Sequence, residues 1–299
     1  MSAHGITRAA QRADRLPRRR AVNRLMEALA ALSALLAIAL LSLLVYSVAR
    51  RGAAQLDLDL LTKGPAGAFS FTPTASGFAN AFAGSLVLVV LATAMALPVG
   101  ILTALYLTEF ARPATRGVVS LGLDVLNGVP AIVVGIFVFG LLVVGRGQSG
   151  FAGAFALACL MLPLVARATM EVLALVPASL REASLALGVP PWRTTLGIVL
   201  PQAVDGIVTG TTLAVARVAG ETAPLLFTSS LVGSGVSWNP QHALQSVPVA
   251  IFEASEQADP TLHAQAWAAA TVLLAFILVT SLAARALAAR SRRRIATSR

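Results

Sequence analysis

Residues 25–48 read LMEALAALSALLAIALLSLLVYSV, 24 residues carrying a single charge, Glu27. A helix this apolar on every face needs lipid or protein all round it, and about 20 such residues cross the hydrocarbon of a bilayer. The run exceeds the apolar region of a signal peptide and lacks a convincing cleavage site, so it reads as a first membrane span. Composition extends the reading to the whole chain. Of 299 residues, 57% are hydrophobic and 12% charged, about half the charged share of a soluble domain, so lipid is the solvent for much of the surface.

Five further apolar segments, near 79–107, 122–144, 151–173, 203–230 and 265–288, are long enough to span. With 25–48 they predict an all-α, polytopic membrane bundle of six transmembrane helices. It forms one permease domain, 25–290, between basic tails 1–24 and 291–299. Loops 49–78 and 231–264 are rich in Gly, Pro, Ser and Thr, as at Lys63-Gly64-Pro65-Ala66-Gly67 and Gly233-Ser234-Gly235. Within the second, 248–258 predicts a short interfacial helix. A charged, proline-bearing stretch, 174–202, joins spans four and five.

The net charge of +10 is concentrated at the ends, as Arg8, Arg12, Arg15, Arg18, Arg19, Arg20 and Arg24, then Arg285, Arg290, Arg292, Arg293, Arg294 and Arg299. Beside apolar runs such tails anchor to anionic headgroups, which argues against nucleic acid. With the N-terminus inside, one face collects these 13 plus Arg112, Arg116, Arg167, Arg181 and Arg193, making 18, against four on the other (Arg50, Arg51, Lys63, Arg146). That excess places both termini in the cytoplasm of a multi-pass inner-membrane protein. Trp192, Trp238 and Trp267 fall near expected interfaces, and Glu109 and Asp124 at span ends, where solvation is expected. A lone Cys159 and three scattered histidines (His4, His242, His263) provide no metal-ligand spacing. No phosphate-cradling glycine loop of the Walker type is present. The placement of reactive groups argues against a membrane enzyme or sensor.

Two stretches carry chemistry. The first is Glu182-Ala183-Ser184-Leu185-Ala186-Leu187-Gly188, nine residues, then Ile198-Val199-Leu200-Pro201. Small residues keep the helix slim enough to seat in a partner's groove, Gly188 allows the backbone that ends it, and Pro190-Pro191 stiffen the exit. The second is ARVAGETAPLLFT, 216–228, in span five. A basic residue in mid-bilayer costs about 2.5–3.5 kcal/mol, so Arg217 is expected to face protein or water. Glu221, four residues on, is expected on the same helical face, within reach of it. The Arg fork suits a tetrahedral oxyanion, while a purely structural ion pair remains the alternative. Arg167, in the inner part of span four, either joins that path or snorkels to the interface.

The first stretch resembles the EAA loop of bacterial ABC importer permeases, with Ser184 replacing the second alanine. The second resembles the fifth-span signature of the PstA permeases of phosphate importers. Asn127-Gly128-Val129-Pro130-Ala131 through Phe137, Leu162 to Arg167 and Leu175 to Glu182 agree with that family in order, and the likeness spans about 77–290. Ala131 stands where the family often has Ser; lacking a hydroxyl, it is given no binding role. The resemblance implies half of a translocation path for inorganic phosphate, lined by Arg217, Glu221 and Arg167. It also implies ATPase coupling through Glu182, Ala183, Ser184, Gly188 and Pro201. The implied partners are a PstC-type permease, two PstB-type ATPase subunits that bind ATP and Mg, and a PstS-type phosphate-binding protein. The chain itself would hold no cofactor. Charge alone leaves phosphonate, sulfate or molybdate open as cargo.

Overall fold

A computed structural model describes the backbone of residues 3–64, 77–230 and 236–297, and side chains from 20 to 286 among these. Pro65-Ala66-Gly67, Gly233-Ser234-Gly235, and the basic side chains at 8–19 and from 290 onward lie outside the described residues. Every regular element among the described residues is helical. Five helices are long and apolar enough to cross a membrane, and a bent pair makes a sixth span if its two halves are taken together.

The chain divides into two units, 1–50 and 51–299. The first is helix alone, the body of α1 (Ala3–Gly52), so the basic N-terminal tail continues the span as helix. Its described leucines, from Leu25 to Leu44, are all exposed, as an all-apolar helix in lipid would be.

The second unit contains a short helix, α2 (Leu58–Thr62), and is built around α3 (Ala79–Leu105) and α6 (Gly150–Ala174). Leu88, Ala92 and Ala96 of α3 pack against Leu157, Met161 and Val165 of α6. Alanine on the facing sides lets the two backbones come close, the usual way of packing helices in lipid. On the other flank α6 packs against α9 (Leu200–Val218), and α9 against α12 (Pro260–Thr297). α12 runs past both predicted ends, so the C-terminal tail is also helical on the backbone. The predicted short helix forms as α11 (Val247–Glu256). It packs through Val247, Ala250 and Ala254 against Leu60, Phe78, Ala266 and Ala269, and leaves Phe252, Ser255 and Glu256 exposed.

Two predicted spans are broken, and in each a proline stands where the helix resumes. The segment predicted as one span, 122–144, is α4 (Pro113–Gly128) and α5 (Ala131–Val138, with a π-helical turn to Val143), bent by 97°. Pro130 drives Val129 out of the helical region, to φ −68° and ψ 129°, and brings no amide of its own. The segment predicted as 203–230 begins earlier, with α8 (Pro191–Thr194) and a π-helical turn, Thr195–Val199. It stops with α9 at Val218 and resumes as α10 (Ala223–Thr228). Had the helix continued, the Pro224 ring would have met the Gly220 carbonyl, four residues back.

Between α6 and α9 the chain folds into a hairpin of α7 (Ala178–Ala186) and α8. Gly188 closes α7 with φ +79°, the left-handed conformation predicted for it. Val189 N–H donates to Ser184 C=O at 3.2 Å and Gly188 N–H to Leu185 C=O at 2.9 Å, the paired bonds of a Schellman motif. Trp192 and Trp267 each carry a stacked guanidinium, from Arg193 at 5.0 Å and Arg51 at 4.9 Å.

Candidate functional site

The two helix breaks meet beside the middle of α6 and leave a cavity of about 70 Å3. Leu126, Asn127 and Val129 close α4 on one side of it, and Ala131 opens α5. Leu160 and Leu164 of α6 form an apolar wall, Arg217 and Val218 come from the end of α9, and Glu221 from the break that follows it. Roughly 10–15 Å3 suffices for one water, so the space admits a small oxyanion. Close packing of the half-helices holds it in shape. A Cβ at Gly135 of α5 would lie 2.6 Å from Pro224 Cα of α10, and the Phe139 and Phe227 rings meet edge to face at 6.5 Å.

Arg217 occupies the last turn of α9, not mid-helix, where the unsatisfied carbonyls of a helix end favour a cation. Glu221 lies beyond that end, its N–H bonded to Val218 C=O at 3.1 Å. The predicted pairing on one helical face is therefore corrected: both residues line the cavity, yet neither forms an ion pair with any described residue. The physical cause is that α9 stops at Val218, so Glu221 no longer follows the helical repeat from Arg217. Ala131, given no role for want of a hydroxyl, also lines the cavity. It stands in the first turn of α5, next to the break at Pro130.

Arg167 is elsewhere. Its guanidinium pairs with Asp124 and donates from Nη2 to Ser120 C=O at 2.8 Å, tying α6 to α4, and it does not line the cavity. Asp124 is thus a partner and not merely a solvated end group. The expectation for Glu109 is overturned more fully. Only 10% of its side chain is exposed, and both oxygens accept from Arg181, at 2.9 Å from Nη2 and 3.2 Å from Nε.

In the hairpin, Glu182 and Ala183 are exposed along α7, as a partner-facing surface requires. Ser184 is not on that face: it is 3% exposed and shares a 2.8 Å hydrogen bond with Thr194, fastening α7 to α8. Pro201 is exposed in the first turn of α9. Sequence reasoning passed over Arg181, Thr194 and Asn127. Arg181 and Glu109 stand 72 positions apart, beyond any local periodicity, whereas Asn127 lay in a quoted motif and adjoined the break.

Against known proteins, the family described as binding-protein-dependent transport system inner membrane component matches residues 96–293. The phosphate transport system permease protein PstA of Xylella fastidiosa (strain Temecula1) is 37% identical over 281 residues, 92% of this chain and 95% of that one. PstA of Haemophilus influenzae is 37% identical over 265 residues, covering 87% and 91%. PstA 1 of Mycobacterium tuberculosis (strain H37Rv) is 44% identical over 215 residues, covering 70% and 69%. Among solved structures, a chain of the MetNI methionine ABC transporter in an inward-facing conformation superposes with a TM-score of 0.54 at 21% identity. It covers 71% of this chain and 94% of its own length, a likeness of fold. A family match over most of the chain, relatives aligned nearly end to end and a shared helical fold agree: this chain belongs to the binding-protein-dependent transport system inner membrane component family.

Proposed function

We infer that the chain is the membrane-spanning permease subunit of an ABC importer and forms half of the path for inorganic phosphate. The observation that carries this is Arg217, a cation without an ion-pair partner among the described residues, in a small cavity between two broken helices beside the middle of α6. Discontinuous helices meeting midway along a span are the usual setting of transporter substrate sites. A guanidinium offers a tetrahedral oxyanion two parallel donors and a charge that replaces lost hydration. Glu221, in the same cavity, limits the net positive charge, so that the anion is passed on and not trapped. The cargo assignment draws on the relatives named PstA.

Arg217 is exposed on this chain, so a second permease of the PstC type supplies the rest of the wall. Two PstB-type ATPase subunits dock on the Glu182–Ala183 face of α7 and hydrolyse ATP with Mg. A PstS-type binding protein delivers phosphate at the opposite end of the bundle. The arginine asymmetry puts the hairpin and both termini in the cytoplasm, with the complex in the inner membrane. Arg167, tied to α4, takes no direct part in the path on this reading. The test is ATP-driven uptake of labelled phosphate into vesicles that hold the chain with its co-purified subunits. Uptake should resist excess sulfate, molybdate and methylphosphonate; entry of one of these in preference to phosphate would reassign the cargo.

A further inference from the structure

Arg181 does more than neutralise Glu109. From the first half of α7, one residue before Glu182, its side chain turns away from the exposed face, and its guanidinium makes four hydrogen bonds. Two go to Glu109, as above; Nη1 donates to Val176 C=O at 2.7 Å, and Nη2 to Leu173 C=O at 2.9 Å. The first of these carbonyls lies just beyond the end of α6 and the second in its last turn. Glu109 belongs to the π-helical turn Tyr106–Phe110 that ends the helix begun as α3. One guanidinium thus joins α7, the end of α6 and the end of the second span. With 23% and 10% of their side chains exposed, Arg181 and Glu109 are better shielded than the Lys63–Asp59 or Arg167–Asp124 partners.

The far end of the same span is fastened too. Val247 N–H donates to Ser85 Oγ at 2.8 Å, Asn80 Nδ2 to Gln245 Oε1 at 2.7 Å, and Gln245 Nε2 to Glu253 Oε2 at 2.6 Å. The backbone at Gly84 touches the Gln245 carbonyl so closely that no Cβ fits. The span runs 32 residues, about 48 Å at 1.5 Å per residue. It is held by α7 at one end and holds the 245–247 turn at the other.

We propose that the Arg181–Glu109 pair is the joint by which a displacement of α7 is carried into the second span, and through it to the 245–247 turn across the membrane. This rests on the reading of α7 as the ATPase-docking helix. Arg181 is then a positioning residue: it touches neither cargo nor nucleotide, and it sets where the second span goes when α7 moves. A guanidinium fork on both carboxylate oxygens fixes direction as well as distance, which a single point contact does not.

The test uses the assembled transporter in vesicles and reads phosphate moved per ATP hydrolysed, alongside assembly and thermal unfolding. Arg181→Met and the nearly isosteric Glu109→Gln should assemble and hydrolyse ATP while the transport ratio falls at least tenfold. In a Cys159→Ala background, Glu109→Cys with Arg181→Cys should be equally uncoupled. A short bifunctional thiol reagent bridging the pair should then restore the ratio, which a merely structural role would not require. A wild-type ratio in the single variants overturns the proposal, and so does a bridged double variant that stays uncoupled. Failure of even Glu109→Gln to assemble assigns the pair to the fold and also overturns it. If the unmodified transporter moves another anion, the cargo reading fails while the ratio, measured with that anion, still decides the joint.

Discussion

At the cavity, Arg217 and Glu221 share one small space without pairing. At the hairpin, Arg181 gives four hydrogen bonds and Glu109 has both oxygens occupied. The two regions also differ in their glycines. Gly135 is needed because a neighbouring backbone comes too close for a side chain; Gly188, with open space around it, is needed for its left-handed backbone. Low dielectric makes every unpaired charge expensive, about 2.5–3.5 kcal/mol for a mid-membrane Arg. Among the described residues the chain leaves Arg217 and Glu221 unpaired at the cavity, where a passing anion can complete the charge, and pairs Arg181 with Glu109 at the root of the hairpin, where force must be transmitted. Substitutions should therefore separate into losses of transport with the fold intact and losses of coupling or stability.

The largest effect is expected at the hairpin's turn. Gly188→Leu forces a branched residue to φ +79°, at a cost of roughly 1–2 kcal/mol, and re-aims α8. Vesicle assays should show full expression with uptake and ATPase coupling both lost. Glu182→Lys should do the same from the exposed face without disturbing the turn. Wild-type uptake in both would reduce the hairpin to a connector.

Next comes the seam that shapes the cavity. Gly135→Val drives side-chain carbon into the Pro224 backbone, and overpacking of this kind costs about 1–3 kcal/mol. Thermal unfolding in detergent should shift down and uptake should fall with it; an unchanged midpoint would mean that α5 and α10 are not in firm contact.

Ser184→Ala should do less. It removes the hydrogen bond to Thr194, worth about 0.5–1.5 kcal/mol, and leaves the exposed face of α7 unaltered. A small drop in unfolding midpoint with uptake retained is the expected result, and lost uptake would mean that the hydrogen bond to Thr194 is itself needed for coupling.

The smallest effect is a pH dependence at Glu253. Burial pushes its carboxyl above the ordinary value; the hydrogen bond from Gln245 opposes this and nearby Glu256 adds to it. The folded state thus favours the protonated form, so this contribution is present at low pH and fades as pH rises through the raised value. Glu253→Gln should flatten that slope in unfolding midpoints recorded from acid to neutral pH, and an unaltered slope would show that another group titrates.

Much of this was legible in the sequence, and what was missed has physical reasons. Span lengths follow from hydropathy alone, and the end of α7 from Gly188 with its two prolines. The breaks at Pro130 and Pro224 were marked by the prolines themselves, yet continuous apolarity across them read as unbroken spans. That reading put Arg217 and Glu221 on one helical face, when a helix end lies between them. Arg181 with Glu109, and Arg167 with Asp124, are contacts between separate helices, and no local pattern announces a partner 72 positions away. The burial of Ser184 was not legible because a short helix packed by a neighbouring hairpin arm has a buried side that composition does not reveal.

The central claim is that Arg217 serves the passing anion and is not half of a structural pair. The decisive measurement is phosphate uptake by the assembled complex carrying Arg217→Gln, alone and combined with Glu221→Gln. Both should assemble and unfold like the wild type, and both should fail to move phosphate, since an amide brings no net charge to replace lost hydration. Uptake restored in the double variant would contradict this, because it would mean that the two charges only balance each other.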